Sequence, residues 1–259
     1  KHVPMMESNP SEAIRTNVLG TKILAEAAHR FQVKQFVMIS TDKAVNPTNI
    51  MGASKRIAEM YIQAQNDQSM THFVTTRFGN VLGSNGSVIL RFKRQISEGG
   101  PITITHPEVT RYFMTIAEAC QLVLEAGSMS RGGEIYLFNM GESIKIVDLA
   151  KKMVKLSGLE LGKDIQLKYT GLRPGEKLHE ELLNDMEDTV PTYHSKIMIA
   201  KQINHRNPNI FNEINLLEEL YDLQENDSIV KKMKEVVPEF KSKNSQYEKI
   251  DFLNTSTSY

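Results

Sequence analysis

The first eighty residues alternate between helical and extended hydrophobic patterns. Residues 12–31 repeat apolar positions at helical spacing, and a second helix is predicted over 50–65. Residues 35–40 form a short, nearly continuous apolar run that is typical of a strand buried on both faces, and 72–78 is predicted as a second such strand. This order of helices and strands predicts a parallel sheet that is covered by helices.

Turn-forming residues and shorter apolar segments follow. Glycine and asparagine cluster at 79–89, which predicts a loop. The elements expected after it are helix 87–99, strand 102–104, helix 116–126, strand 134–141, helix 146–157, strand 165–169 and a stretch, 170–182, that begins as a loop and ends as a helix. Beyond about Gln224 the sequence is polar, and a short helix at 229–236 and a frayed tail are predicted.

Composition restricts the classes of partner. The chain has 259 residues, of which 40% are apolar and 24% charged, as in ordinary soluble proteins. Lys+Arg and Asp+Glu are both 31, so no overall basic field attracts nucleic acid, and no nucleic-acid partner is expected. No apolar run reaches the roughly 20 residues that cross a bilayer.

Cysteine and histidine usage gives no sign of a metal site or disulfide. The single cysteine, Cys120, fits a reducing cytoplasmic compartment, and its helical surroundings predict a buried, inert thiol. The seven histidines form no HExxH motif and no Cys/His cluster, so no metal is expected. Glycine-rich GxGxxG or Walker loops and a GxSxG elbow are also absent from the sequence.

The segment STDKAVNPTNIMGASK, residues 40–55, carries the first candidate chemistry. In doubly wound sheets, reactive groups lie just beyond the carboxyl ends of the strands, where Asp42 and Lys43 fall. A neighbouring carboxylate and amine can supply an acid and a base. Lys55 follows Met51 by four residues on the same helix face. An ordinary capped turn with solvated charges fits the same spacing.

Two further regions suit an anionic ligand. In RFGNVLGSNGSVI, residues 77–89, Asn80 could donate to a phosphate, and amides near Ser87 would start a helix. Arg111 and Arg173 could clamp a diphosphate if they converge. An ordinary glycine-rich loop and two surface ion pairs are the simpler interpretations of these residues.

Taken together and in order, these motifs resemble a known family. The segments are KHVPMME, NVLGT, STDKAVNPTNIMGASK, RFGNVLGSNGSVI, ITHPEVTRYFM, FNMG and RPGEKLHEEL. They resemble the CapD-like polysaccharide-biosynthesis group of UDP-N-acetylglucosamine 4,6-dehydratases, in the extended short-chain dehydrogenase/reductase superfamily. The resemblance runs from Lys1 to about Lys201.

The resemblance implies an α/β fold with an incomplete Rossmann-type, doubly wound parallel sheet and a smaller α/β substrate-binding domain. Residues 1–80 would be the remainder of the NAD-binding domain, and 81–201 the UDP-sugar domain, with 134–141 returning to the sheet. Residues 202–259 would be a helical extension. The implied reaction uses NAD as a recycled hydride carrier and converts a UDP-N-acetyl sugar, UDP-N-acetylglucosamine, into a UDP-4-keto-6-deoxy-N-acetylhexosamine.

The resemblance also implies roles for single residues. Asp42 would be the acid that assists loss of the C6 hydroxyl, Lys43 the base at C5, and Thr41 a contact to the C4 region. Lys55 would bind the nicotinamide ribose. The remaining implied contacts are His2 and Ser40 on the cofactor side, and Asn80, Ser87, Arg111, Arg173 and Glu176 on the substrate side.

Two departures from the superfamily pattern matter. Met51 stands where the superfamily has the tyrosine of YxxxK, so Asp42, Lys43 or a water remains a candidate base for the C4 hydroxyl. The glycine-rich cofactor loop is also missing, and we expect an upstream part of the same enzyme to supply it. In larger relatives that part carries membrane helices, which would place the enzyme at the cytoplasmic face of a bacterial inner membrane. A homo-oligomer is expected.

Other functions fit parts of the sequence. A UDP-sugar C4 epimerase or reductase would share the cleft, although it needs no lysine base at the position of Lys43. A non-catalytic sugar-nucleotide-binding fragment would explain the missing cofactor loop.

Overall fold

A five-stranded sheet forms the centre of the computed structural model, which describes residues 1–181, 188–201 and 207–255. In pairing order, its strands are β1 (Gln35–Ile39), β2 (His72–Arg77), β7 (Ile135–Phe138), β11 (Ile197–Lys201) and β10 (Asp188–Pro191). The first three are parallel. Strand β11 pairs antiparallel to β7, and β10 pairs antiparallel to β11. The remaining strands pair as β3 (Asn80–Val81) with β6 (Phe113–Met114), β4 (Ile102–Ile104) with β9 (Leu167–Tyr169), and β5 (Thr110–Arg111) with β8 (Ile144–Lys145).

Helices lie before, between and after these strands. They are α1 (Val3–Ser8), α2 (Pro10–Ala13), a π-helical turn (Ile14–Leu19), α3 (Gly20–Arg30), a 3₁₀ turn (Asp42–Ala44), α4 (Ile50–Asn66), α5 (Val88–Ser97), α6 (Ile116–Met129), α7 (Ile146–Leu156), α8 (Ile210–Asp222), α9 (Asn226–Val236) and α10 (Glu248–Thr255). Side chains define two of the starts: Asn49 caps α4, and Thr115 and Glu118 form a capping box on α6.

Strands β2 and β7 are buried on both faces, whereas β1, at the edge of the sheet, is only partly buried. Phe73 packs into an apolar cluster with α3, α4, α8 and α9, whereas its neighbour Val74 packs into a second cluster with α6. Successive strand side chains point to opposite faces, so this division follows from the pleat. A third cluster around Phe92 joins α5, α7 and β4. The α/β class with a parallel sheet is confirmed.

The chain boundaries proposed for the domains stay predictions. Strand β7 does return to the main sheet, within the expected 134–141, but β10 and β11 also join it from the 81–201 segment. The helix predicted at 229–236 is confirmed within α9, α8 precedes it, and the expected frayed tail contains one further helix, α10.

Two expectations about local structure are wrong. No helix forms in 170–181, because the carbonyls of Lys177 and Leu178 accept from Arg111 and from the Thr110 amide instead of from following turns. Residue 182 of this expectation lies outside the described residues. Cys120 is exposed rather than buried, because it lies on the outer face of α6 while Ala119 and Leu122 face the sheet.

A buried ion-pair network connects α4 to the ends of β1 and β2. Both oxygens of Glu59 accept from the Arg77 guanidinium, at 2.8 and 2.6 Å, and both side chains are almost fully buried. Arg56 and the hydroxyl of Ser40 complete the shell around the same carboxylate. Burial alone would raise the pKa of Glu59, but the charge and hydrogen bonds of Arg77 hold it below its ordinary value.

Removing one partner of this buried pair should be costly. Arg77→Leu leaves the Glu59 charge in the interior without its main partner, so we expect the free energy of unfolding to fall by about 3–5 kcal/mol. Urea denaturation measures the change. Arg94→Leu removes an exposed arginine that pairs with Glu98, and it should cost no more than about 1 kcal/mol. Equal effects of the two substitutions would contradict a stabilising role for the buried pair.

Candidate active site

A cavity of about 640 Å³ opens at the carboxyl ends of β1 and β2. This is the edge of the sheet at which α/β proteins place their ligands. Its wall contains most of the residues that the sequence singled out, namely His2, Ser40, Thr41, Lys43, Met51, Lys55, Asn80, Ser87, Arg111, Arg173 and Glu176. The structure therefore brings together motifs that lie up to 174 positions apart, from His2 to Glu176. Asp42 is fully buried and lies next to this wall rather than in it.

Lys43 sits between two buried carboxylates. Its amine lies 2.9 Å from Oδ1 of Asp42 and 3.1 Å from Oε1 of Glu180. Both carboxylate side chains are at most 2% exposed. The same Glu180 oxygen lies 3.4 Å from Nε of Arg111. The second oxygens, Oδ2 of Asp42 and Oε2 of Glu180, are buried without a hydrogen-bond partner among the described residues.

The proton affinities of this cluster follow from burial and mutual charge. Burial alone would lower the pKa of the Lys43 amine, but the charges of Asp42 and Glu180 raise it above its ordinary value. Burial raises the pKa of Asp42 in spite of the Lys43 charge. Burial also opposes ionisation of Glu180, but Lys43 and Arg111 hold the pKa of that carboxyl below its ordinary value. At rest, Lys43 is thus an ammonium, and Asp42 is the easier carboxylate to protonate.

Short local bonds hold the loop that follows β1, residues 40–44, in place. Ser40 donates to Glu59 at 2.6 Å, which ties the end of β1 to the buried ion-pair network. Thr41 caps the 3₁₀ turn by accepting from the Lys43 amide, and its hydroxyl donates to Asp42 at 2.8 Å. The Thr41 hydroxyl and the Lys43 amine thereby hold the same oxygen of Asp42, Oδ1.

Lys55 is the one lysine in this wall that we find without a fixed partner. It has no hydrogen bond or ion pair to another residue in the described part of the chain. Burial lowers the pKa of its amine, and the charge of Glu59 partly offsets this effect. Met51 lies one helical turn earlier, buried and without a titratable group. Nearby, Asn17 donates to Ser54 at 2.8 Å. An amine without a fixed partner is available to donate hydrogen bonds to a polar ligand in the cavity.

Arg91 also lines the cavity, although sequence reasoning did not single it out. It follows Ser87 by four residues, and both line the cavity from α5. The Arg91 Nε and the Ser87 hydroxyl are buried without hydrogen-bond partners among the described residues. Burial lowers the pKa of Arg91, as does the nearby charge of Arg173. Two arginines and an unpaired hydroxyl donor therefore converge on one region, as an anionic ligand requires.

Arg111 is committed to the protein itself. Its guanidinium donates to the carbonyls of Thr110, Lys177 and Leu178 and pairs with the carboxylates of Glu176 and Glu180. Glu176 also accepts from Arg173 at 3.3 Å. The predicted grip of Arg111 on a diphosphate stays a prediction, and the geometry favours Arg91 as the partner of Arg173.

Sequence reasoning missed two residues of the cavity wall, Arg91 and Glu180, and they differ in whether the sequence carries a signal for them. Arg91 could have been found from its i, i+4 spacing after Ser87 at the start of a predicted helix. Glu180 carries no such signal, because the stretch around it is not helical and its contact with Lys43 spans 137 positions. Within the described residues, no group of three His, Cys, Asp or Glu side chains is arranged to hold a metal ion.

The parallel sheet, covered on both faces and with a charged cavity at its strand ends, defines a Rossmann-type α/β fold. The same fold occurs in the solved structure of Pen from Bacillus thuringiensis, which is 34% identical, with a TM-score of 0.70 over 80% of this chain and 64% of that one. The chain belongs to the family described as polysaccharide biosynthesis protein, which matches residues 1–202. The resemblance drawn from the motifs is confirmed.

Individual relatives share this region. The chain is 60% identical to capsular polysaccharide biosynthesis protein CapD of Staphylococcus aureus over 202 residues, which is 78% of this chain and 34% of CapD. It is 38% identical to an inverting UDP-N-acetylglucosamine 4,6-dehydratase of Campylobacter jejuni, over 74% of this chain and 56% of that protein. A UDP-glucose 4-epimerase of Rickettsia canadensis is 40% identical over 71% of this chain and 53% of that protein.

The chain thus spans about a third of the length of CapD and about half of the dehydratase and epimerase. In the part of the chain that the structure covers, no helix has the length and apolar character needed to cross a bilayer.

Proposed function

We propose that this chain is the part of a UDP-N-acetylglucosamine 4,6-dehydratase that binds the sugar nucleotide and moves its protons. The observation that carries the proposal is the Lys43 amine, held between Asp42 and Glu180 at the wall of a cavity that Arg91 and Arg173 also line. The similarity to a 4,6-dehydratase supports the reaction, and the similarity to CapD supports a role in surface polysaccharide biosynthesis.

NAD is the proposed cofactor. A neighbour with the same fold, the dTDP-glucose 4,6-dehydratase DesIV of Streptomyces venezuelae, was solved with NAD bound; it is 21% identical, with a TM-score of 0.65 over 70% of this chain and 61% of that one. The residues present fit its nicotinamide end, because Lys55 offers an unpaired amine beside Ser40, Met51 and His2. Bound NAD would supply reversible hydride exchange with the sugar. Lys55 would hold the ribose, and Met51 would exclude water from the ring.

The Lys43–Asp42 contact can generate both an acid and a base by one internal step. Moving a proton over the 2.9 Å from Lys43 to Asp42 yields a neutral amine and a protonated carboxyl. The amine can then take the proton from C5 of a 4-keto sugar, and Asp42, which lies behind the cavity wall, can supply a proton to the departing C6 hydroxyl through the hydroxyl of Thr41. The raised pKa of Asp42, caused by burial, favours this transfer, whereas the raised pKa of Lys43, caused by the charges of Asp42 and Glu180, opposes it.

A C4 epimerase is the second candidate, since an epimerase is also among the relatives. Epimerisation keeps the C6 oxygen and needs no base at C5. A fragment that only binds sugar nucleotides is the remaining alternative. The nature of the product separates these functions.

The full-length protein that contains this chain should convert UDP-N-acetylglucosamine into a 4-keto-6-deoxy product, followed by NMR. Lys43→Ala should lower turnover by about 10²-fold or more, because it removes the proton-transfer group. The exposed Lys34, at the opposite end of β1, provides the control, and Lys34→Ala should retain activity. A product epimerised at C4 would favour the epimerase, and full turnover by Lys43→Ala would contradict its assigned role.

Glu180 should set the pH range of the reaction. Its negative charge raises the pKa of both Lys43 and Asp42, so Glu180→Gln, of nearly the same shape, lowers both. Both limbs of the profile of kcat/KM against pH should therefore move to lower pH. The neighbouring Glu181 is about half exposed, and Glu181→Gln should leave the limbs in place. Limbs that stay fixed in Glu180→Gln, or that move to higher pH, would refute the assigned electrostatic role.

Arg91 should contribute to binding of the diphosphate. A charge-assisted hydrogen bond contributes about 1.5–3 kcal/mol, so Arg91→Ala should weaken UDP binding by about tenfold or more in isothermal titration calorimetry. Arg94 lies on the same helix but is 72% exposed, so Arg94→Ala should bind as tightly as the wild type. The same affinity in Arg91→Ala as in Arg94→Ala would exclude Arg91 from the site.

A further inference from the structure

Residues 239–245, which we call the C-terminal segment, run along two loops of the cavity. The amide of Lys241 donates to the carbonyl of Pro47 at 3.1 Å, and the amide of Lys243 donates to that of Thr48 at 3.2 Å. The carbonyl of Lys243 accepts from the amide of Gly175 at 2.7 Å. The C-terminal segment therefore binds both loops through main-chain atoms.

The two loops carry the functional side chains. Residues 40–49 hold Asp42 and Lys43, and residues 173–177 hold Arg173 and Glu176. They also touch each other directly: Asn49 donates to the carbonyl of Gly175 at 3.0 Å, and Lys177 donates to that of Val45 at 3.1 Å. The approach is close enough that a Cβ on Gly175, whose φ is +74°, would lie 2.5 Å from the Asn49 Cβ. The C-terminal segment contacts both loops next to this point, through Thr48 and Gly175.

The C-terminal segment is itself anchored by a buried charge. Asp251 accepts from the amide of Ser242 at 3.0 Å and from the Lys234 amine at 2.7 Å. Lys234 donates to the Ser242 hydroxyl at 2.8 Å and stands 4.1 Å from the centre of the Phe240 ring. Helices α9 and α10 thus fix the path of the segment between them.

Both ends of the C-terminal segment also reach the start of α4 and its buried network. Glu239 accepts from Arg56 at 3.1 Å, and Arg56 in turn contacts Glu59. Ser245 donates to one oxygen of Glu7, whose other oxygen accepts from the amide of Ile50, the first residue of α4. Contacts at five separate points therefore tie the segment to elements that surround the cavity.

We propose that the C-terminal segment is a positioning element of the active site, which fixes the loop that carries Lys43 relative to the loop that carries Arg173. It lies beyond residues 1–202, the region that the family match covers. The proposal extends past the proposed function, because it holds for whichever reaction the cavity performs. The segment thereby keeps Lys43 at a constant distance from Arg173.

The test removes one main-chain donor while leaving the core intact. Lys243 has an exposed side chain, and Lys243→Pro removes the hydrogen bond from its amide to the carbonyl of Thr48. Lys243→Ala keeps that amide and serves as the matched control. Hydrogen–deuterium exchange, read by mass spectrometry on this chain, compares peptides from 40–49 and 171–178 with peptides from β2. We expect exchange in the two loops to rise about fivefold or more in Lys243→Pro, with β2 unchanged.

A second variant covers the case in which proline prevents folding. Asp251→Asn weakens the anchor of Ser242 without touching either loop, and it should produce the same loop-specific rise. In the full-length protein, kcat/KM should fall in both variants and stay at the wild-type value in Lys243→Ala. Unchanged loop exchange in a folded variant would overturn the proposal, and so would a uniform rise that includes β2, because that pattern indicates general destabilisation only.

Discussion

One charged contact at the cavity wall governs this structure: the amine of Lys43 lies 2.9 Å from the buried carboxylate of Asp42, and that of Glu180 is 3.1 Å away. A single ammonium cannot neutralise two carboxylates, and burial of charge is costly without compensation. Arg111 supplies the missing positive charge through Glu180, and Thr41 supplies a hydrogen bond to Asp42. The cluster is thereby stable as a set of ions, yet only one proton shift away from a neutral acid–base pair.

The surrounding structure serves to hold that balance. Arg111 can face Glu180 only because it is fixed by the carbonyls of Lys177 and Leu178, which keeps this stretch from forming a helix. At the end of β1, Ser40 donates to Glu59, which is itself held by Arg77. Both buried networks thus fix the backbone beside Lys43: Arg111 holds the loop of Glu180, and the Glu59–Arg77 pair holds Ser40. Such networks are specific in geometry because a misplaced member leaves a buried charge unpaired.

Sequence patterns predicted the sheet better than the site. The apolar runs at 35–40 and 72–78 are the parallel strands β1 and β2, and β2 is buried on both faces, as such a run predicts, although β1 is only partly buried. The placement of Lys43 at a strand end follows from the same pattern. Glu180 could not be predicted, because its contact depends on a loop path that is set by tertiary bonds. The burial of Cys120 was predicted wrongly because α6 exposes an apolar side that also contains Ile116 and Leu124. The hydrophobic pattern alone therefore did not show which face of the helix packs against the sheet.

The proton-transfer role of Lys43 is tested most directly by following the C5 hydrogen of the sugar. The full-length enzyme would turn over UDP-N-acetylglucosamine in D₂O, and NMR of the product would report deuterium at C5. Lys43, as the base, exchanges its ammonium hydrogens with solvent, so we predict deuterium at C5 of a 4-keto-6-deoxy product. A product that retains its original hydrogen at C5 would contradict proton removal at that carbon, and with it the role of the Lys43–Asp42 pair.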